Sequence, residues 1–328
     1  MIKIGKELVG DVVHYIIKKL REGKLVISPT DTVYGIICDG YNESSKERIF
    51  EIKKRPREKV LIGFVKDVET AEKFAYIQPE DEDLLRKKWP GSHTFIFRAK
   101  RKIPHLVSYK NEIGIRIPDH PLLLEILKDF EILASTSANL SGEKSPSSIE
   151  EIPEELKRKV DIVVDGGKVK GRESAIWRLV DGKIKLLRGK ILFVCEGNSC
   201  RSPIAESILK EYIAKSKLKI KVNSAGIGII NKGEVSQKTR EVLNEIGIEL
   251  EKVFSQPLDF EKIEEADLIF TMEEKQKDRI ISFFPEAKDK IITLNVPDPA
   301  GKEISYYRKT RDIIKKKIEE IVLKRIGK

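Results

Sequence analysis

The sequence predicts a two-part α/β protein: a mixed, twisted α/β sheet over residues 1–189, then a doubly wound parallel sheet over residues 190–328. Three observations predict it. The length, 328 residues, suits two domains. Up to residue 188, β-rich runs are joined by short polar turns, so that some neighbours pair antiparallel. From residue 191 onward, apolar strands alternate with helices, which is the pattern of a parallel sheet.

The first part opens with helical spacing over 7–20, where Leu8, Val12, Tyr15, Ile16 and Leu20 share a face. The run "KLVISPT" is a strand entering a turn at Pro29, after which Asp31 and Thr32 are placed to cap a helix and Gly35 to form a turn. The runs "LIGFV", "HTFIFRA", "IGIRI", "ILAST", "DIVV", "AIWRLV" and "KIKLL" complete this sheet. The second part begins with "ILFVC", a continuous apolar strand, followed by a loop and a helix from about Pro203 to Lys215. "KIKVNSAG", "ADLIFTM" and "KIITLNV" are its further strands, and residues 305–325 form a long terminal helix. The boundary falls at Gly189–Lys190, with essentially no linker.

Composition narrows the function classes. Hydrophobic residues make up 40% and charged residues 35%, interspersed, which excludes a disordered chain. The apolar runs are far shorter than a membrane span, and the N-terminus lacks a signal-peptide pattern, so no membrane association and a cytoplasmic location are expected. Three cysteines, Cys38, Cys195 and Cys200, exclude a disulfide-built scaffold. His14, His93, His105 and His120 are scattered without zinc-site spacing, so no metal site is expected. The net charge of +10 divides into +7 on residues 1–190 and +3 on residues 191–328. That balance suits phosphorylated ligands, with tRNA attracted at most weakly.

The run "VCEGNSCRSP" carries the clearest chemistry. Cys195 ends a strand and a helix opens just after Arg201, so successive backbone N–H groups face one concavity aided by the helix dipole. Gly197 lets the chain curl, and Asn198 tolerates left-handed dihedrals. Such a nest binds a phosphate-sized anion and favours a Cys195 thiolate at neutral pH. Arg201 offers a planar fork for two anion oxygens.

This pattern resembles the low-molecular-weight protein tyrosine phosphatases across residues 191–328, including "NSAG" at 223–226 and "DP" at 298–299. The resemblance implies that Cys195 attacks phosphorus to give a phosphocysteine, with Arg201 stabilising the transferred group and Asp298 as acid, then base. It implies that Gly197, Asn198, Ser199, Cys200, Ser202 and Ser224 shape or brace the phosphate loop, and that no cofactor is needed. The substrates implied are phosphoproteins, phosphotyrosine first, or small phosphate esters. The aromatic residue often found after "DP" in that family is absent. Ala300 and Gly301 stand there, with Tyr306 and Tyr307 available to fold back as a replacement wall. Ser199 replaces a branched apolar residue, which suits a phosphoarginine-directed alternative.

In the first part, "SPTDTVYGIICDGYN", "KKRPREKVL", "IGIRIPDHP", "STSANLSG" and "LLRG" follow one another along the chain. Arg116 lies in an apolar strand, where a charge needs a partner. Ser135, Thr136, Ser137 and Asn139 form a polar cluster at a strand end, suited to ligand contacts. Together these motifs resemble YrdC-like threonylcarbamoyl-AMP synthases from about Gly5 to Arg188. The resemblance implies that L-threonine, bicarbonate and ATP, with Mg²⁺, give threonylcarbamoyl-adenylate and pyrophosphate. tRNA-threonylcarbamoyl transferase proteins would then modify adenosine in tRNA. Carried over by motif, Thr32, Arg116, Ser135 and Ser174 contact threonine or its carbamate. Lys53, Arg55, Ser137, Asn139, Ser145 and Arg188 contact ATP. Lys54, Val60 and Ala175 depart from the residues usual there. The expectation is a bifunctional synthase–phosphatase. The alternative is an N-terminal RNA-binding module with phosphatase activity alone.

Overall fold

The computed structural model describes residues 2–3, 10–108, 110–216, 218–229 and 233–327. The chain divides into two compact units, Met1–Ile184 and Lys185–Lys328.

The first unit runs β1 (Ile2–Lys3), α1 (Gly10–Arg21), β2 (Val26–Ser28), β3 (Gly35–Asp39), α2 (Glu43–Lys53), β4 (Ile62–Phe64), α3 (Val68–Glu72) and β5 (Ala75–Tyr76). It continues with α4 (Glu82–Lys88), β6 (His93–Ala99), β7 (Glu112–Arg116), α5 (Pro121–Ile126), β8 (Leu133–Ser137), α6 (Glu154–Lys159), β9 (Ile162–Asp165) and β10 (Ala175–Val180). Its sheet is ordered β1-β9-β2-β3-β8-β4-β7-β6-β10, with β5 paired to β6. Parallel and antiparallel neighbours mix: β2 runs parallel to β9 and antiparallel to β3, while β4 runs parallel to β7 and antiparallel to β8. Helix α1 forms because Val13, Ile16, Ile17 and Leu20 recur every three or four residues and bury one stripe. That stripe packs with Leu122, Leu123 and Ile126 of α5 over Val26, Ile37, Leu133 and Ile162 of the sheet. Leu8, expected in this helix, lies outside the described residues.

Helix α2 begins at Asn42, whose side chain accepts from the Ser45 N–H, and ends at Lys54 in the left-handed region, φ 49°. A glycine is the usual residue for that conformation. The helix cap expected at Asp31 and Thr32 is absent, because a turn and then β3 follow, with Gly35 as the first strand residue.

The second unit contains β11 (Lys183–Cys195, which begins just before the boundary), α7 (Arg201–Ala214), β12 (Lys219–Gly226), α8 (Gln237–Asn244) and α9 (Phe260–Glu265). It ends with β13 (Leu268–Thr271), α10 (Glu274–Phe283), β14 (Ile291–Thr293) and α11 (Ile304–Lys317). The separate strands expected at "KIKLL" and "ILFVC" are one strand, β11. The expected helix at Pro203 starts two residues earlier, at Arg201, so Pro203 sits in its first turn, where a missing N–H costs nothing. The four strands are all parallel, in the order β12-β11-β13-β14. The core is formed by Leu192, Val194, Ala225, Ile269, Ile280 and Ile291. The connections leave β11 on opposite sides toward β12 and β13, which makes the carboxyl end of β11 a switch point. Open α/β sheets bind ligands at such points. Cys195 is the last residue of that strand. Among the described residues no helix is long and apolar enough to cross a membrane.

Candidate active sites

In the first unit, polar groups converge from four segments. The turn after β2 is fixed by Thr30, whose Oγ1 donates to the Val33 carbonyl (2.8 Å) and accepts the N–H groups of Thr32 (3.0 Å) and Val33 (3.2 Å). Backbone bonds tie this turn to two other loops: Tyr34 N–H to Pro146 O (2.9 Å), Ala138 N–H to Tyr34 O (2.8 Å) and Gly171 N–H to Thr32 O (2.8 Å). The buried Tyr34 hydroxyl donates to Gly167 O (2.7 Å) and accepts from Gly166 N–H (3.0 Å). Strand register adds the rest, with Gly35 opposite Ser137, Ile62 opposite Ser135 and Phe64 opposite Arg116.

Arg116 is 3% exposed and has the partner its burial demands. Its Nη2 pairs with Asp31 Oδ1 (2.5 Å), Nη1 donates to Thr32 Oγ1 (3.0 Å), and Nε donates to Gly91 O (2.9 Å). Thr32 and Arg116 are therefore in direct contact. Ser135 is buried on β8, and Ser174 Oγ lies 3.0 Å from Thr94 Oγ1. Ser137 Oγ donates to Asn139 Oδ1 (2.5 Å), and Asn139 Nδ2 donates to Glu143 O (2.7 Å). Lys53 lies behind this segment: its ammonium donates to the carbonyls of Ser137 and Asn139 and to Asn139 Oδ1. Burial, reinforced by the Arg55 charge, draws the Lys53 pKa down to about 7. Arg55 donates to Lys59 O (2.8 Å) and Val60 O (2.9 Å), which shapes its own loop. Ser145 donates to Glu173 (2.5 Å). Arg188 belongs to the second unit, where it is paired in register with Lys219.

In the second unit the site comes from a single loop. Cys195 is 3% exposed; its Sγ lies 3.0 Å from Ser202 Oγ and accepts the Asn198 N–H (3.2 Å). Asn198 adopts φ 46°, and its side chain donates to Ser202 Oγ (2.8 Å) and Ser224 Oγ (2.7 Å) and accepts from Gln256 N–H (2.8 Å). Among the described residues, the backbone N–H groups of Gly197, Ser199 and Cys200 donate to no protein acceptor. They are open donors around the loop centre.

Arg201, 1% exposed, turns its guanidinium to Glu273 (2.6 Å), Val296 O (3.1 Å) and Asp298. Burial pushes the Cys195 thiol above its ordinary pKa, against the opposing effects of Ser202, Arg201 and the Asn198 N–H. The cation expected to favour a thiolate is engaged by two carboxylates in this loop.

The two tyrosines considered as a replacement wall take other roles. Tyr307 is buried, with Oη 3.3 Å from Cys200 Sγ and 3.4 Å from Ser236 Oγ. Tyr306 is half exposed. Cys38, on β3, is fully buried, and burial lifts its thiol to about 12, so it is unreactive.

Residues 18–189 match the Sua5/YciO/YrdC family model, described as telomere recombination. The chain belongs to that family. Residues 190–328 match the low molecular weight phosphotyrosine protein phosphatase model, so this Sua5/YciO/YrdC chain carries a phosphatase domain behind the first. It is 38% identical over 191 residues to a putative threonylcarbamoyl-AMP synthase of Methanocaldococcus jannaschii, covering 58% of this chain and 91% of that one. The threonylcarbamoyl-AMP synthase of Pyrococcus abyssi is 35% identical over 173 residues, 52% of this chain and 51% of that one. The chain spans about half the length of that relative and of the Bacillus subtilis one. The crystal structure of Pyrococcus abyssi Sua5 complexed with L-threonine shares the fold, with TM-score 0.55, 22% identity, 96% of this chain and 97% of that one covered.

Several residues of these Sua5/YciO/YrdC and phosphatase sites escaped sequence reasoning. Asp31 is the counter-ion of Arg116, yet its place beside Thr32 in "PTDT" suggested only a cap. Glu273 holds Arg201 from the turn after β13; its position at a strand's carboxyl end was the available signal. Glu206 is buried under the loop, where it accepts from Ser224 (2.6 Å) and pairs with Lys252 (2.8 Å) and Lys210 (3.0 Å). Burial works against its charge, but Lys252, Ser224 and Lys210 together hold the carboxyl below the usual range. Among the described residues no three His, Cys, Asp or Glu side chains cluster as a metal site.

Proposed function

We propose that the chain is a bifunctional enzyme that forms threonylcarbamoyl-adenylate and hydrolyses phosphomonoesters. In the first unit, Arg116 with Thr32, Ser135 and Ser174 receives threonine and its carbamate. Ser137, Asn139, Ser145, Arg55 and Lys53 serve ATP, Lys53 by setting the segment that meets the nucleotide. The carbamate oxygen attacks the α-phosphorus and pyrophosphate leaves. No protein nucleophile is required, so the protein's work is to bring reactants together and balance phosphate charge. Mg²⁺ would arrive with ATP near Arg55 and the Ser137–Asn139 segment, and would supply charge neutralisation for the departing pyrophosphate. The adenylate then passes to transferase proteins that modify tRNA. The observation that carries this reading is the buried Arg116–Thr32–Asp31 cluster beside the Ser137–Asn139 segment.

In the second unit, a phosphate dianion on the open N–H donors competes with Glu273 and Asp298 for Arg201. Arg201 turning inward favours the Cys195 thiolate, which attacks phosphorus as the bond to the leaving oxygen breaks. Asp298, released from Arg201, takes up the Cys195 thiol proton and gives it to that oxygen, then takes one from the water whose oxygen displaces Cys195 from phosphorus. The geometry of Cys195, Asn198 and Ser202 around one loop supports this reading.

The test is one preparation and two assays. Pyrophosphate release should require L-threonine and bicarbonate as well as ATP. Brief incubation with phenyl phosphate should place a phosphate on Cys195 by mass spectrometry. Equal release of pyrophosphate without threonine would point to a plain ATP hydrolase, and no release under any condition would point to an RNA-binding first unit.

A further inference from the structure

Two lysines stand over Tyr306 and Tyr307, the rings considered as a replacement aromatic wall. The Lys302 N–H donates to Pro299 O (2.9 Å), folding the chain after Asp298 so that Lys302 faces back along it. The Lys302 ammonium sits 4.9 Å from the centre of the Tyr306 ring. Lys238, in the first turn of α8, donates to Lys302 O (2.5 Å) and lies 5.7 Å from the centre of the Tyr307 ring. Tyr307 in turn touches Cys200 of the loop (3.3 Å), so Lys238 stands one ring away from the phosphate site.

Two features separate this pair from ordinary surface lysines. Among the described residues neither ammonium pairs with a carboxylate, whereas Lys275 pairs with Glu273 (3.3 Å) and Arg279 with Glu196 (3.7 Å). Each is also held over an aromatic face, so little side-chain freedom remains to be lost on binding. The ring of Tyr306 already carries a cation on one face, which leaves less of it for a phenyl group.

We propose that Lys238 and Lys302 form a subsite for a second anion, so that the phosphatase centre acts on phosphorylated side chains in acidic peptide segments. This rests on the phosphatase reading above. Acidic residues nearby are Asp298, which is bound to Arg201, Glu303 beside Lys302, and Glu241, one turn along α8 from Lys238; among the described residues none of the three pairs with either lysine.

Two phosphotyrosine peptides, one flanked by glutamates and one by lysines, test it with the full chain. The acidic peptide should have a kcat/KM about tenfold higher at low salt, and the ratio should shrink as ionic strength rises. In the K238E/K302E double variant the ratio should invert. The ratio is the readout, so a general loss of activity in the variant cancels. A wild-type ratio near one, or an unchanged ratio in the variant, overturns the subsite while phenyl phosphate turnover upholds the phosphatase reading. Absence of turnover of phenyl phosphate and of both peptides overturns both. A preference for the basic peptide, or for a phosphoarginine peptide over the acidic one, also overturns the subsite.

Discussion

The anion site proposed for the second unit comes from eight consecutive residues, Cys195–Ser202, whereas the site proposed for the first draws on segments as distant as Thr32 and Ser174. The consecutive site needs only one strand end, one curl and one helix start, and its donors are backbone groups that only a proline substitution removes. The dispersed site depends on side chains placed by a mixed sheet, and its charges are committed to one another. In both, the principal arginine is buried and tied to carboxylates: Arg116 to Asp31, and Arg201 to Glu273 and Asp298. The difference lies in how firmly. The carboxylate of Asp31 is 9% exposed, while those of Glu273 and Asp298 are 32% and 42% exposed. Water therefore screens the pairs that must open for an incoming phosphate, and the Arg116 pair is the more permanent one.

The largest effect should separate the two sites outright. Cys195→Ser should reduce phosphate release from phenyl phosphate to background, since serine offers no accessible anion at neutral pH. Threonine-dependent pyrophosphate release by the same folded protein should be unchanged. Loss of both activities would mean that the sites are not independent.

Next in size is the structural cost of breaking the firm pair. Arg116→Ala leaves the buried Asp31 carboxylate without its cation and should destabilise the first unit by about 3–5 kcal/mol. Urea unfolding would measure it. The double variant that also carries Asp31→Asn should recover part of the loss. If it recovers none, the cost arises from the lost contacts with Thr32 and Gly91 and not from an orphaned charge.

The same contrast decides what could be read from the sequence. The eight-residue loop was legible because spacing alone orders its chemistry: strand end, curl, anion fork, helix. Its hidden half, Glu273 and the Glu206–Lys252 pair, was not, because those residues reach the loop from other strands and helices. In the first unit the strands and the polar cluster at Ser135–Asn139 could be seen, but the partner of Arg116 could not. Asp31 lies 85 residues away and is brought near by the order of the sheet. The engagement of Arg201 was hidden for a similar reason: local sequence shows the nest and the arginine, but not the carboxylates that occupy the arginine.

A titration distinguishes the cations further. Arginine stays charged throughout the working range, but Lys53 has a pKa near 7 when folded, from burial and then Arg55, against an ordinary value of 10.5. Between those values the unfolded chain binds the additional proton, so stability should rise with pH, by up to about 1.4 kcal/mol per unit. The charged Lys53 is penalised fully below about pH 7, and the penalty is gone above the ordinary value. Urea unfolding of wild type and Lys53→Met across that window checks it, since only the wild type should show the added slope. Parallel curves would mean that Lys53 stays protonated in the folded first unit.

The smallest effect concerns two residues with the same backbone and opposite justification. Lys54 and Asn198 are both left-handed, at φ 49° and 46°, and each lies within a few residues of a site cation. Asn198 uses that geometry, with side-chain bonds to Ser202, Ser224 and the Gln256 N–H. Lys54 ends α2 through its backbone N–H, which bonds Phe50 O and Glu51 O, and its own ammonium makes only an exposed 3.9 Å pair with Glu155. Such a pair contributes little. Lys54→Gly removes a left-handed cost of roughly 1–2 kcal/mol and adds back roughly 0.5–1 kcal/mol of unfolded-chain freedom, for a net gain of about 0.5–1 kcal/mol. Asn198→Gly should move stability the other way, because the backbone is eased but three buried hydrogen bonds are lost. Thermal melts of the two variants would show it. A destabilised Lys54→Gly would mean that the lysine side chain supports the Lys53–Arg55 loop in a way its contacts do not reveal.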